Sequence, residues 1–324
     1  MQSPSVIAVT HADDPLGSRV VARLGRDLEA RVVAVAGDDV RAAELKRSLH
    51  GVDVVVHLAS ATDEPLDAAR RVLEAASDAG VGHVVVVTSA LVYGAWPTNP
   101  VPLTDDAPLR PNPDFAPAVA FGEVERLVGE WREAHPSAVV AVLRPAVAVA
   151  EDEAGWLAPM LAAVRGVPVG DDDPPAQFVH LDDIAAAVAV AVTARLDGAA
   201  NVAPDGWISG EELRGLAGGP RVRLPWGLGE KLTSWRWRAG LSPTPPGLLP
   251  WTVDPWVVAS DRLKALGWAA SHSNQEAFVA GHRPRPWATV SPRRRQELTL
   301  GASAVALAGV AAGAVAVVRR ARRR

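Results

Sequence analysis

The sequence predicts an α/β fold, a doubly wound parallel sheet with helices on both faces. Two observations predict it. Short valine-rich runs recur through the first half and are apolar on both sides, as strands covered on two faces must be. Residues 53–58 (Asp-Val-Val-Val-His-Leu) and 84–88 (Val-Val-Val-Val-Thr) are the clearest. Between such runs lie longer stretches with apolar residues at helical spacing, the alternation expected of strands joined by crossover helices.

The elements follow in order. Residues 6–10 form a strand. Residues 16–28 form a helix whose apolar stripe is Leu16, Val20, Val21, Leu24 and Leu28. A strand over 31–36, a short helix over 41–49, the strand 53–58, a helix over 64–79 and the strand 84–88 come next. A Pro/Asp-rich loop fills 95–117. A helix over 121–133, a strand over 139–144 and an Ala/Val-rich helix over 184–196 complete the pattern. Beyond residue 218 the composition shifts, and seven of the 11 tryptophans lie there among prolines and glycines. This predicts a sheet domain over 1–217, a small loop-rich lobe over 218–290 and a separate C-terminal segment over 291–324. Trp226, Trp235, Trp237, Trp251 and Trp256 either line a substrate cleft or fill the interface between lobe and sheet.

The formal charge of -4 and a pI near 6.1 give no general reason to expect nucleic-acid binding. The chain has no cysteine, which excludes disulfides and thiolate metal sites and suits a reducing compartment. No metal site is expected. The N-terminus has no basic stretch ahead of an apolar one, so no secretory signal is read.

Several segments in order resemble the extended short-chain dehydrogenase/reductase family, the NAD-dependent epimerase/dehydratase group. Residues 6–10 followed by Pro15-Leu16-Gly17-Ser18-Arg19-Val20 look like its first strand, glycine loop and helix. Asp53-Val54-Val55-Val56-His57-Leu58-Ala59 matches its D-x-V-x-H-L-A strand, and Thr88-Ser89-Ala90-Leu91-Val92-Tyr93-Gly94 its S-S-x-x-V-Y-G segment. Leu143-Arg144-Pro145, Phe178-Val179-His180-Leu181-Asp182-Asp183 and Asp261-Arg262-Leu263 match later signatures. The resemblance implies a Rossmann-like sheet that binds NAD(P) through Thr10, Gly17, Asp39, Ala59 and Ser89, with Ser89 orienting substrate.

Three departures qualify that implication. The family's T-G-x-x-G-x-x-G reads Thr10-His11-Ala12-Asp13-Asp14-Pro15-Leu16-Gly17, so only the last glycine survives. His11 adds a side chain where the turn favours none, and Asp14 places a carboxylate where a phosphate would sit. Asp14 is also expected to cap the helix that starts at Pro15. Second, the stretch between Gly17 and Asp53 holds one strand and one short helix, so one edge strand is expected to be missing on the adenosine side. Asp38 or Asp39 either meets a ribose there or lies in a solvated turn. Third, the family's Tyr-x-x-x-Lys pair is absent. Alignment on Glu123-Val124-Glu125 puts Pro117 at the tyrosine and Phe121 at the lysine, and neither can move a proton. Tyr93, the chain's one tyrosine, is left as a relocated acid or as a packed side chain. His57 is read as a core histidine and His180 as part of a structural turn.

Residues 298–318 carry no charge and, at 1.5 Å per residue, are long enough to cross about 30 Å of hydrocarbon. Arg293–Arg295 precede them; Arg319, Arg320 and Arg322–Arg324 follow. A C-terminal membrane span is expected, with the folded domain on the cytoplasmic side. The sequence therefore predicts a membrane-tethered, epimerase/dehydratase-like protein that binds NAD(P) weakly or not at all and acts in binding or scaffolding, with a homodimer or a dimer with a relative as one arrangement. An active NAD(P)-dependent enzyme with a rewired site, and a sensor of small ligands or lipid headgroups, are the alternatives.

Overall fold

Runs of β-branched residues with no polar face can be satisfied only inside a sheet covered on both sides, and they form its middle. The computed structural model describes residues 5–37, 45–61, 64–151, 156–165, 174–217, 226–240 and 245–282. Strands β1 (Val6–Thr10), β2 (Arg31–Val35), β3 (Val54–Leu58), β4 (His83–Val87), β5 (Val139–Pro145) and β8 (Gly198–Val202) make a parallel sheet in the order β2-β1-β3-β4-β5-β8. Every residue of β3 and β4 is buried, with Val54 opposite His83 and Leu58 opposite Val87. β2 is the sheet edge beside β1, and among the described residues no strand lies outside it.

Helix α1 (Pro15–Asp27) packs on α6 (Leu181–Thr193). Helix α3 (Pro65–Ala79) packs on α4 (Ala116–Ala134), and their valines, leucines and alanines join Val55, Val84, Val86 and Val140 in one core. Between β2 and β3, helix α2 (Leu45–Ser48) is the described part of the stretch expected to be helical over 41–49. α4 begins five residues before the predicted start because Pro117 lies in its first turn, where a missing N–H costs nothing.

The sequence pattern did not reveal a second, two-stranded parallel sheet of β6 (Val147–Val149) and β7 (Phe178–His180). Nor did it reveal α5 (Leu157–Arg165), α7 (Gly210–Ala217), α8 (Trp226–Arg238), α9 (Asp261–Ala265) or α10 (Asn274–Gly281). α10 packs on β6 and β7, and a capping box between Ser273 and Glu276 starts it. Residues 1–213 and 221–282 form one compact unit; in the second unit, 214–220 with 283–324, the described residues are the last turn of α7. The expected span over 298–318 lies outside the described residues, among which no helix is long and apolar enough to cross a membrane.

The tryptophans divide. Trp251 and Trp256 are buried edge-to-face at 4.9 Å, and Phe115 lies 6.0 Å from Trp251. They pack inside the compact unit that holds residues 1–213 and 221–282. Trp235 and Trp237 are 59% and 45% exposed, so they do not fill a buried interface.

Candidate functional site

In an open parallel sheet the ligand crevice lies beyond the carboxyl ends of the strands, where the order reverses. Here that point is the end of β1, between β2 and β3. The turn leaving β1 keeps the backbone path of a glycine loop. His11 sits at φ 50, the left-handed conformation that glycine adopts without strain. Gly17 is required: a Cβ there would stand 2.0 Å from the His11 carbonyl oxygen. The sequence identified both positions, and the structure shows why only one could change.

The His11 ring fills space at this turn. It is 2% exposed, its Cδ2 would lie 3.1 Å from a Cβ on Gly37, and its centroid is 6.0 Å from that of His57. It therefore lies across the end of β1, between the end of β2 and β3. Asp13 closes the same turn, its carboxylate accepting from the Gly37 N–H at 2.8 Å. Asp14 occupies the N-cap position of α1, and its carbonyl accepts from Ser18. Its side chain makes no capping hydrogen bond, contrary to expectation. The extended backbone suits a cap, but a cap also needs the carboxylate turned back on its own helix. These groups do not fit a dinucleotide's pyrophosphate, which needs bare backbone and free N–H groups at this turn.

Beneath it, Thr10 Oγ1 is 2.9 Å from His57 Nδ1 and accepts from the Leu58 N–H. Burial, with a smaller contribution from His11, lowers the His57 pKa to about 3, so the ring is neutral. His57 Nε2 and His11 Nδ1 are buried with no hydrogen-bond partner among the described residues. Ala59 is half-buried, its N–H donated to Val87. Asp39 lies outside the described residues.

At the end of β4, Ser89 is 8% exposed, and its Oγ accepts from the Leu91 N–H, capping the 3-10 turn Ala90–Tyr93. Tyr93 is fully buried. Its hydroxyl donates to Asn201 Oδ1 at 2.7 Å and accepts from the Arg144 guanidinium at 2.7 Å. Burial pushes its pKa up to about 12, and the Arg144 charge offsets only part of that. The hydroxyl is held from two sides, and burial favours its neutral form. Pro117 stands in the first turn of α4 and Phe121 is buried one turn on, so the helix face that carries an acid/base pair in the resembled family is apolar here.

Sequence reasoning missed the largest polar feature. Arg144 forms a buried pair with Glu125: Nε lies 3.1 Å from both carboxylate oxygens and Nη2 is 2.7 Å from Oε2. Thr88 donates to Glu125 Oε1 at 2.8 Å, and Arg144 Nη1 also reaches the Asp105 carbonyl at 3.0 Å. The signal was a charge inside an apolar strand, Val-Ala-Val-Leu-Arg-Pro, which requires a buried partner. His180, read from the sequence as part of a structural turn, is the N-cap of α6: Nδ1 accepts from Asp182 N at 3.2 Å, which leaves the Nε2 proton directed at Glu151, 3.2 Å away. Among the described residues no cluster could hold a metal ion.

The six-stranded parallel order with helices on both faces defines the class: the chain has a Rossmann-like α/β fold. Residues 16–113, less than a third of the chain, match a family model described as NAD(P)H-binding. The match begins after the altered turn. Among solved structures the chain is similar to UDP-glucose 4-epimerase of Thermus thermophilus in complex with NAD (19% identity, 85% of this chain and 97% of that one, TM-score 0.62). It is also similar to UDP-glucose 4-epimerase of Thermotoga maritima with UDP-glucose (18%, 85% and 97%, TM-score 0.62). A third is dTDP-glucose 4,6-dehydratase of Bacillus anthracis in complex with NAD (14%, 86% and 95%, TM-score 0.61). At such identities the likeness is one of fold. No curated protein sequence matches the chain.

Proposed function

We propose that this chain is a membrane-tethered protein with the epimerase/dehydratase fold that does not transfer hydride and that works by binding. One observation carries the reading: Pro117 and Phe121 occupy the helix positions where proton transfer would be performed, while Tyr93 is buried with its pKa pushed up to about 12. The His11 ring and the Asp13 and Asp14 carboxylates at the turn support a weak or absent hold on NAD(P). Residues 298–318, uncharged and flanked by arginines, support the tether; the reading puts the folded domain on the cytoplasmic side.

The test is a titration of NADH and NADPH into the full chain in lipid nanodiscs, following dinucleotide emission and tryptophan quenching. The expected result is no saturable signal at micromolar concentrations. Micromolar binding of either dinucleotide sinks the lost-cofactor part. Turnover of a nucleotide sugar with that cofactor sinks the whole reading. Digestion of the folded domain by protease added outside intact cells overturns its cytoplasmic placement.

A further inference from the structure

Helix α8 presents a stripe to solvent that the fold does not use. Leu228, Lys231, Trp235 and Arg238 follow at helical spacing and share one side. Leu228 is 54% and Trp235 59% exposed, and Lys231 and Arg238 are exposed beside them. The helix's one acid, Glu230, lies about 100° round from Lys231. In the same unit Trp251, Trp256 and Trp268 are each buried, whereas Trp207 and Trp237 are 40% and 45% exposed.

We propose that this stripe of α8 lies against an anionic lipid surface. Indole rings and long basic side chains are the chemistry of the membrane interface, the ring seated at headgroup depth and the cations paired with lipid phosphates. The stripe carries both and no carboxylate, which matches a negatively charged surface. A second argument rests on the membrane reading above. The last described residue, His282, is joined to the uncharged segment by residues 283–297. That tether reaches at most roughly 50 Å when fully extended, so a spanning segment would hold the stripe at high effective concentration over the bilayer.

The chain has no cysteine, so single introduced cysteines report their own positions. Full-length Trp235→Cys, labelled with an environment-sensitive fluorophore, is reconstituted into phosphatidylcholine vesicles with or without phosphatidylglycerol and with nitroxide-bearing lipids. Leu228→Cys repeats the measurement from the same stripe. Val279→Cys on α10, 58% exposed, is the surface control, and Ala308→Cys reports the span separately. The label at 235 is expected to be quenched by nitroxides near the headgroups, more strongly with phosphatidylglycerol. That quenching should fall several-fold in Lys231→Glu/Arg238→Glu, while the label at 279 stays unquenched. Labels at 235 and 228 no more quenched than at 279, with 308 quenched, would overturn the inference and leave the span. Quenching at 235 without quenching at 308 would remove the span and keep the α8 contact. If 235 and 228 are unquenched and so is 308, both readings fail.

Discussion

Two buried polar clusters sit at the carboxyl ends of the sheet, and they differ in how they are satisfied. Around Arg144, all three guanidinium nitrogens and both Glu125 oxygens have partners, and the Tyr93 hydroxyl is held from two sides. Around His11 and His57, two ring nitrogens are buried with no hydrogen-bond partner among the described residues. The first cluster joins β4, α4, β5 and β8 into one scaffold. The second fills the place where the fold elsewhere receives a ligand. A fully paired cluster is expensive to disturb, whereas one that already holds unpaired atoms has fewer hydrogen bonds to lose.

The largest expected effect breaks the first cluster. Arg144→Met leaves Glu125 buried and unpaired, and the folded state should lose about 3–5 kcal/mol in denaturant unfolding. Arg144→Met with Glu125→Leu should recover much of that, since a buried ion pair replaced by apolar side chains of similar size is often nearly neutral. A double variant as unstable as the single one would show that Thr88 and Tyr93 depend on the charges themselves.

The next effect opens the second cluster. Two like charges about 4 Å apart repel by roughly 4 kcal/mol at an effective dielectric near 20, about three decades of affinity. His11→Gly with Asp14→Gly should therefore raise NADH affinity by up to that factor in the nanodisc titration. No gain would place the obstacle at the sheet edge formed by β2 instead.

Tyr93 gives a pH signature to the first cluster. Below pH 10 the phenol is neutral in both the folded and unfolded chain. Between 10 and about 12 the unfolded chain loses its proton first, so stability falls by up to about 3 kcal/mol over that window. Tyr93→Phe should abolish this alkaline slope. Because Tyr93 is the chain's one tyrosine, the tyrosinate absorbance near 295 nm belongs to it alone and should rise near pH 12. A rise near pH 10 would mean the hydroxyl reaches water.

How much of this was legible in the sequence follows from where each signal lies. The strands were readable because an apolar run on both faces has few other uses. β8 was not, since Gly-Ala-Ala-Asn-Val has neither the run nor the alternation, and its place is fixed by pairing with β5. The altered turn was readable by position, yet the direction of the His11 ring and the uncapped Asp14 depend on backbone angles that no spacing encodes. Glu125 and Arg144 are separated by a helix end and a loop, and only the fold brings them together. Composition could not sort the tryptophans, because it does not distinguish an indole packed in the core from one left facing outward.

The smallest effect compares the clusters through one matched change. Thr10 and Thr88 both stand at strand carboxyl ends, both are buried, and each gives its hydroxyl to its cluster. Valine keeps the shape and removes that hydroxyl. Thr88→Val takes a hydrogen bond from a buried carboxylate, worth about 1.5–3 kcal/mol. Thr10→Val takes one from a neutral imidazole and a backbone N–H, worth about 0.5–1.5 kcal/mol each at most. It leaves the Leu58 N–H and one His57 ring nitrogen buried without that partner, but both groups are neutral and cost less to leave unpaired than the Glu125 charge. Parallel urea unfolding of the two variants should show Thr88→Val as the more destabilised. Equal losses would mean that the His11–His57 cluster is as tightly held as the Arg144 cluster and that the crevice is part of the scaffold.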